Sequence, residues 1–184
     1  GAPSTQVLSV HSPLPNDNIG LGFTVQNDNI GPTNTTGLWG DFAYRMKTTK
    51  KAKLALALRA GFGIHQADIR SLDVGGGPEN DPAFNQNVDN SFLPNFGFGA
   101  YYYSDRGYVG LSSPSILENE LNNGNNLGDA EDLQNRHYYL LAGYVFNISA
   151  DSGTVMFRPS TVIRAVNGAP ISFDLSANFL IKEK

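Results

Sequence analysis

The feature that most constrains the fold is an alternation of apolar residues with polar or small ones, which recurs from one end of the chain to the other. In the clearest example, residues 53–65, every second residue is apolar: Leu54, Leu56, Leu58, Ala60, Phe62 and Ile64. Successive side chains of a β-strand point to opposite faces, so a period of two predicts a strand with one apolar face. Helical periodicity is nearly absent, and the sequence therefore predicts an all-β fold.

The same alternation predicts about nine strands. Strong alternation covers residues 21–26, 38–46, 53–65, 154–165 and 172–181. Weaker or two-sided apolar segments cover residues 6–12, 95–104, 107–112 and 137–147. No segment approaches the ~20 apolar residues of a membrane-spanning helix, but a transmembrane strand needs only about 9–11 residues, half of them facing a polar interior. Both a soluble β-sandwich and an outer-membrane β-barrel fit this pattern.

Six charged residues fall on the polar sides of the predicted strands: Asp41, Arg45, Arg59, Arg158, Arg164 and Asp174. A charge on the lipid side of a barrel would cost about 2–4 kcal/mol near the midplane, so a barrel needs this placement. We expect these charges to face the lumen. There Arg59, Arg158 and Arg164 either pair with Asp41 and Asp174 as internal struts, our preferred interpretation, or favour anionic solutes. A soluble sandwich would also place its charges on one face.

The lengths of the predicted connections favour the barrel. Connections 13–18, 48–52, 105–106 and 149–153 are short, whereas 27–36, 66–92 and 114–135 are longer. Short and long connections therefore alternate, as in outer-membrane barrels with brief periplasmic turns and extended extracellular loops. The last connection, 167–168, departs from this order because it is short where a long connection is expected. We accordingly predict an antiparallel transmembrane β-barrel of outer-membrane type.

Aromatic residues gather near the ends of predicted strands: Tyr101, Tyr102, Tyr103, Tyr108, Tyr138, Tyr139, Tyr144 and Phe146. Rings in such positions are typical of the aromatic girdles at membrane interfaces, although cross-strand pairing within any sheet is an alternative. Within the long connection 114–135, Ser115 and Glu118 resemble a capping box, with Ile116, Leu117 and Leu121 on one side. This pattern predicts a short helix or turn that packs at the barrel mouth.

No motif indicates catalysis, a cofactor or a metal. The chain has no cysteine, which excludes disulfides, thiol catalysis and cysteine metal sites, and its three histidines lack metal-binding spacing. The triplet at Gly75 lacks the lysine of a phosphate-binding loop, and the acidic loops lack calcium-loop spacing. A net charge of −4 without a basic face argues against nucleic acid as a partner. We therefore expect a protein that is not an enzyme.

Several segments resemble the PorP/SprF family of type IX secretion system membrane proteins from Bacteroidota. They include Gly40-Asp41-Phe42-Ala43-Tyr44-Arg45, Tyr101-Tyr102-Tyr103-Ser104-Asp105 and Phe157-Arg158-Pro159-Ser160, together with residues 5–14, 18–22, 27–33, 92–97, 136–138, 142–146 and 168–170. The resemblance extends through essentially the whole chain and rests on the order and spacing of these segments.

The resemblance implies an outer-membrane component of the type IX secretion and gliding motility machinery. Such a protein would assist the export or surface attachment of adhesins. Its expected partners are secreted surface adhesins, other type IX secretion components and outer-membrane lipid. We expect residues 1–184 to form one β-barrel domain that lacks the signal peptide and first segment of the family and its C-terminal strands, so that the barrel is incomplete. A passive porin-like channel and a soluble β-sandwich binding module are the alternatives.

Overall fold

The chain folds into one antiparallel sheet. The computed structural model describes residues 2–15, 18–68, 88–119, 135–148 and 155–181. The strands are β1 (Ser4–Pro13), β2 (Ile19–Ile30), β3 (Thr33–Lys47), β4 (Ala52–Ala67), β5 (Val88–Ser104), β6 (Gly107–Ser113), β7 (His137–Tyr144), β8 (Phe146–Asn147), β9 (Val155–Val166) and β10 (Ser172–Ile181). Nine of them follow one another across the sheet in chain order, and the two-residue β8 pairs with β9 beside β7. The all-β, antiparallel prediction is confirmed.

The strand register keeps the alternation in phase across the sheet. Leu21 lies opposite Phe42, Phe42 opposite Leu58, and Leu58 opposite Phe98. Directly opposed residues of antiparallel strands point to the same side, so these four side chains form one continuous row. We call this side of the sheet the apolar face. The other side, whose adjacent row is Gly22, Asp41, Arg59 and Gly97, is the polar face.

The apolar face has no covering layer among the described residues. Leu58 is 63% exposed, Phe173 67% and Leu175 76%. The buried apolar side chains of the described part are only Ala52, Ala67 and Leu93. A soluble sandwich would bury such a face against a second sheet. The described strands instead make a single open sheet whose edges are β1 and β10, which is the arrangement of a partial barrel.

Antiparallel order places the connections alternately at two ends of the sheet. The connections after β1, β3, β5 and β8 lie at one end and span residues 14–18, 48–51, 105–106 and 148–154. Those after β2, β4, β6 and β9 lie at the other end and span residues 31–32, 68–87, 114–136 and 167–171. Both extended connections share this second end, which we call the long-loop end.

Two predicted connection lengths are wrong. Residues 27–36 were predicted to form a longer loop, but β2 and β3 continue through them to a two-residue turn at Gly31 and Pro32, where Gly31 has a φ of 60°. The polar residues pair across the strands instead, and Asn27 Nδ2 donates to Oδ1 of Asn34 (3.2 Å) and Oγ1 of Thr36 (2.9 Å). The last connection is longer than predicted, because β9 ends at Val166 and β10 begins at Ser172.

Four glycines lie directly opposite an aromatic residue on the neighbouring strand. The pairs are Gly61 with Trp39, Gly107 with Tyr144, Gly110 with Tyr101, and Gly143 with Tyr108. A Cβ atom on any of these glycines would come within 2.6–2.8 Å of the opposing ring. Each ring therefore lies over its glycine and covers backbone that the missing side chain leaves bare, an arrangement that stabilises sheets at glycine positions.

The register places the aromatic residues that were predicted to form a girdle on both faces of the sheet. Tyr101, Tyr103 and Tyr108 lie on the polar face, where the Tyr101 ring centroid is 5.4 Å from that of Tyr103 and 5.8 Å from that of Tyr108. Tyr139 shares that face, whereas Tyr102, Tyr138, Tyr144 and Phe146 lie on the apolar face. Only this second group has the placement that a girdle requires, because girdle rings must reach lipid.

We expect the substitution Gly61→Ala to destabilise the sheet by about 1–3 kcal/mol, since the added methyl would meet Trp39 Cε3 at 2.6 Å and the carbonyl oxygen of Leu38. Gly63→Ala is a matched control on the same face of β4, where the nearest atoms would lie 3.9 Å away. The measurement is the urea midpoint of folding into detergent micelles. Equal midpoints for the two variants would contradict this role of the Trp39–Gly61 pair.

Candidate functional site

The register places all six predicted charges on the polar face. Asp41 lies opposite Arg59, and Arg45 lies opposite Ala55, two positions further along the same side. On the far side of the sheet, Arg158 lies opposite Asn178 and Arg164 opposite Ser172, and Asp174 faces Val162. The polar face continues between the two groups. Arg59 lies opposite Gly97 on β5, and Gly99, two residues further along β5, lies opposite Ser112. Ser112 lies opposite Tyr139, which lies opposite Arg164.

Asp41 and Arg59 form the first of two ion pairs. Arg59 Nε donates to Oδ1 of Asp41 at 2.7 Å, and its Nη2 donates to Oδ2 at 3.2 Å. This two-point contact joins β3 to β4 at directly opposed positions. The guanidinium carbon also lies 5.6 Å from the centre of the Trp39 ring. Both charged side chains are about one-third exposed, so the pair stands at the surface of the polar face and not in a core.

Arg164 and Asp174 form the second pair, on β9 and β10. The Nη2 atom of Arg164 donates to Oδ2 of Asp174, and its Nε donates to Oγ of Ser172 at 3.3 Å. Arg164 lies opposite Ser172, so its contact with Asp174 is diagonal. The prediction of struts between strands is therefore confirmed for Arg59 and Arg164 with Asp41 and Asp174, and it is wrong for Arg158.

The two remaining arginines make no ion pair within the described ranges. Arg45 lines an open groove of about 450 Å³ beside β1, β2 and β3, together with His11 and Asp41. Gly20 and Gly22 lie in the wall of this groove. Arg158 is exposed on β9. Of the six predicted charges, four thus form two neutralised pairs, and Arg45 and Arg158 are separate cations on the same face.

A short segment after β6 lies over the polar face of β5. We call residues 114–119 the strap. Asn95 is 0% exposed and holds the strap through both ends of its amide: Oδ1 accepts from the N–H groups of Ile116 (2.9 Å) and Leu117 (3.0 Å), and Nδ2 donates to the carbonyl oxygen of Leu117 (2.9 Å). The strap is not helical, so the helix predicted from Ser115 and Glu118 is wrong over these residues, while Leu121 lies outside the described part.

The chain segment that leads from the connection 114–136 back into β7 is also hydrogen-bonded to the strap. Arg136 Nε donates to the carbonyl oxygen of Ile116 at 2.7 Å, and its Nη1 contacts the hydroxyl of Tyr138 at 3.4 Å. The hydrogen bond that Arg136 donates to the hydroxyl of Tyr138 raises the pKa of this guanidinium. Sequence reasoning assigned no role to Asn95 or Arg136, although both lie in segments that carry the family resemblance, because their partners are backbone groups of the strap that no local pattern identifies.

The part of the chain that the structure describes holds no cluster of three or more histidine, aspartate or glutamate side chains able to bind a metal. Nor does any helix in these ranges have the length and hydrophobicity of a membrane span.

We expect a double-mutant cycle on Asp41→Asn and Arg59→Gln to show a coupling of about 0.2–1 kcal/mol, the range for partly exposed ion pairs. The coupling should fall as salt rises, because screening weakens exposed pairs. Arg158→Gln is the matched control, since Arg158 makes no ion pair among the described residues. Additive effects of the two substitutions at low salt, measured as urea midpoints, would show that the pair does not couple β3 to β4.

Comparison with known families assigns the chain. The family model described as type IX secretion system membrane protein PorP/SprF matches residues 1–184. Neither a curated protein nor a solved structure gives a significant match. Because the match spans the chain and agrees with the antiparallel, all-β sheet, this protein belongs to the PorP/SprF family and is an outer-membrane component of the type IX secretion system.

Proposed function

We propose that the sheet forms part of the wall of an outer-membrane β-barrel, with its apolar face against lipid and its polar face lining the lumen. In this role the chain assists the export or surface attachment of adhesins, in association with other type IX secretion components, and carries out no reaction of its own. The observation that carries the proposal is the constant phase of the two faces from β1 to β10, which shifts only where β4 pairs with β5 between His65 and Ala67. The membership of a secretion-system family supports it.

The distribution of charge supports the assignment of lipid and lumen. Asp41, Arg45, Arg59, Arg158, Arg164 and Asp174 share the polar face. Large apolar side chains such as Leu58, Phe96 and Leu175 are exposed on the other. Hydrocarbon accepts exposed leucine and phenylalanine but not arginine or aspartate, whereas a water-filled lumen accepts both charges and glycine.

The directions of the edge strands support a contribution of further strands to the barrel. Ser4 of β1 lies opposite Asn29, and Ser172 of β10 lies opposite Arg164, so both strands begin at the long-loop end. Two strands that run the same way cannot pair antiparallel with each other. Closure with antiparallel pairs alone therefore needs an odd number of strands beyond these nine, which gives the even total of bacterial barrels.

The long-loop end is the side we assign to the exterior. Its connections 68–87 and 114–136 are the longest of the chain, as expected for extracellular loops. Near this end Asn27, Asn34 and Thr36 form a hydrogen-bonded group on the apolar side of the sheet, which marks where that face becomes polar. We place contacts with adhesins and with other secretion components at this end.

A passive channel is the second candidate. Arg45 and Arg158 lie on the polar face without an ion pair among the described residues. Such cations would give a water-filled lumen a preference for anions. This candidate is favoured if the purified protein conducts anions in planar bilayers while a deletion strain still exports its adhesins.

We expect Leu175→Arg to lower stability by about 2–4 kcal/mol in lipid, since Leu175 occupies the apolar face in the middle of β10. Ser176→Arg is a matched control one residue away on the polar face, beside Asp174, and it should fold like the unaltered protein. The measurement is the midpoint of urea-driven folding into phospholipid vesicles. In a soluble protein an exposed residue such as Leu175 would tolerate arginine. Equal midpoints for Leu175→Arg and Ser176→Arg would therefore contradict the assignment of Leu175 to the lipid-facing side.

We expect replacement of residues 120–134 by a Gly-Ser linker of equal length to spare membrane insertion and to impair the display of adhesins. The linker keeps the fastened bases of the loop, including Arg136, while it removes the side chains that we assign to partner contact. Heat-modifiable gel mobility reports insertion, and the secreted and surface-exposed proteins report export. Display at the level of the unaltered strain would count against this loop as a contact for partners.

A further inference from the structure

We propose that the strap is a fixed barrier inside the lumen near the long-loop end, where it narrows the passage and is held in place by Asn95. This inference rests on the barrel proposed above, because it requires the polar face to line a lumen. The PorP/SprF match carries no information about it.

The burial pattern of β5 locates the barrier. On the polar face of this strand Ser91 is 2% exposed and Asn95 0%. On the apolar face of the same strand Phe96 is 54% exposed. A strand in an open sheet would leave both faces accessible, so this difference in exposure requires a protein segment that covers only the polar face. At Asn95 and Gly97 that segment is the strap.

The way in which β6 ends explains why the chain turns inward. β5 is 17 residues long, and β6 pairs with only its last part, from Phe98 opposite Ser113 to Tyr103 opposite Tyr108. A longer β6 would continue along the edge of β5. Pro114 follows Ser113 directly, and it has no backbone N–H to add to the ladder. From this proline the strap bends over the polar face at Gly97, while the N–H of Ile116 still donates to the carbonyl oxygen of Phe96 on β5 at 2.8 Å.

Gly97 provides the space for that crossing. A Cβ atom on Gly97 would lie 2.5 Å from the carbonyl oxygen of Pro114 and 2.8 Å from its carbonyl carbon. These contacts are with backbone, which cannot swing aside as a side chain could. Gly99, two residues further along the same face, has no such neighbour, because its Cβ would meet nothing closer than 3.7 Å.

Asn95 then fixes the strap at a single position. Its amide oxygen accepts from two consecutive backbone N–H groups of the strap, and its amide nitrogen donates to the carbonyl oxygen of Leu117. Asn119 Nδ2 adds a bond to the carbonyl oxygen of Pro94 at 2.9 Å, and Arg136 holds the carbonyl oxygen of Ile116. Alanine at position 95 would remove the partners of the N–H and carbonyl groups of Leu117, whereas the N–H of Ile116 would keep the carbonyl oxygen of Phe96. Loss of hydrogen-bond partners in a buried setting is a costly change.

The test compares the conductance of the natural gene product in planar bilayers with that of three variants. Asn95→Ala removes the bonds that hold the strap, and Gly97→Ala displaces its first residue. Gly99→Ala is the matched control for the glycine substitution. We expect the first two variants to conduct severalfold more than the unaltered protein and Gly99→Ala to conduct like it, with heat-modifiable mobility retained by all.

Two results would overturn the proposals, and they are distinct. If every protein inserts and shifts on heating but Asn95→Ala and Gly97→Ala conduct like the control, the strap is no barrier and the barrel stands. If the unaltered protein neither inserts nor shifts on heating, the barrel fails and the barrier with it. Should Asn95→Ala fail to fold, the pair Gly97→Ala and Gly99→Ala makes the same comparison.

Discussion

Backbone hydrogen bonding is the constraint on which the rest of this structure depends. An unpaired N–H or C=O group in hydrocarbon costs several kcal/mol, so a chain that crosses a bilayer as strands must pair each strand with both neighbours. The antiparallel ladder of nine strands meets this demand except at the outer edges of β1 and β10 and along residues 88–97 of β5, which β6 does not reach. There the strap supplies bonds to the carbonyl oxygens of Phe96 and Pro94. The ladder also fixes the register, and the register decides which side chains share a face.

The two faces follow from that register by different physics. On the apolar face the side chains need only to be compatible with lipid, and a broad surface of leucine, phenylalanine and valine satisfies this without close packing. The polar face needs specific contacts, since its surroundings are wet and its side chains are sparse. Ion pairs join β3 to β4 and β9 to β10, aromatic rings cover cross-strand glycines, and the strap is bound by Asn95.

Features of the fold that depend on neighbouring residues in the chain could be predicted from the sequence, whereas features that depend on pairing between strands could not. The faces of β4 and β10 could be predicted, because the alternation is strong and a strand has only two sides. Residues 27–36 could not, because their asparagine and threonine side chains carry the signals of a turn while their actual partners lie on neighbouring strands. The turn is confined to Gly31 and Pro32, and no local pattern separates these two from their polar neighbours.

The candidate site likewise has a part that could be predicted from the sequence and a part that could not. That the six charges share a face followed from the alternation, but the diagonal contact of Arg164 with Asp174 depends on a register that only the folded sheet defines. The capping pattern at Ser115 failed because the N–H groups of Ile116 and Leu117, which a helix start would leave open, are taken by Asn95 from a strand about twenty residues away.

The central claim is that one face of this sheet meets lipid and the other meets water. The absence of cysteine allows single cysteines to be introduced one at a time at residues 53–60 and 62–65 and spin-labelled in the protein reconstituted into vesicles. Gly61 is left unchanged because a side chain there would meet Trp39. The account predicts that labels at Leu54, Leu56, Leu58, Ala60, Phe62 and Ile64 are accessible to oxygen, which partitions into lipid. Labels at the intervening positions should be accessible to a water-soluble nickel complex. Equal access of the nickel complex at both sets of positions would contradict the account.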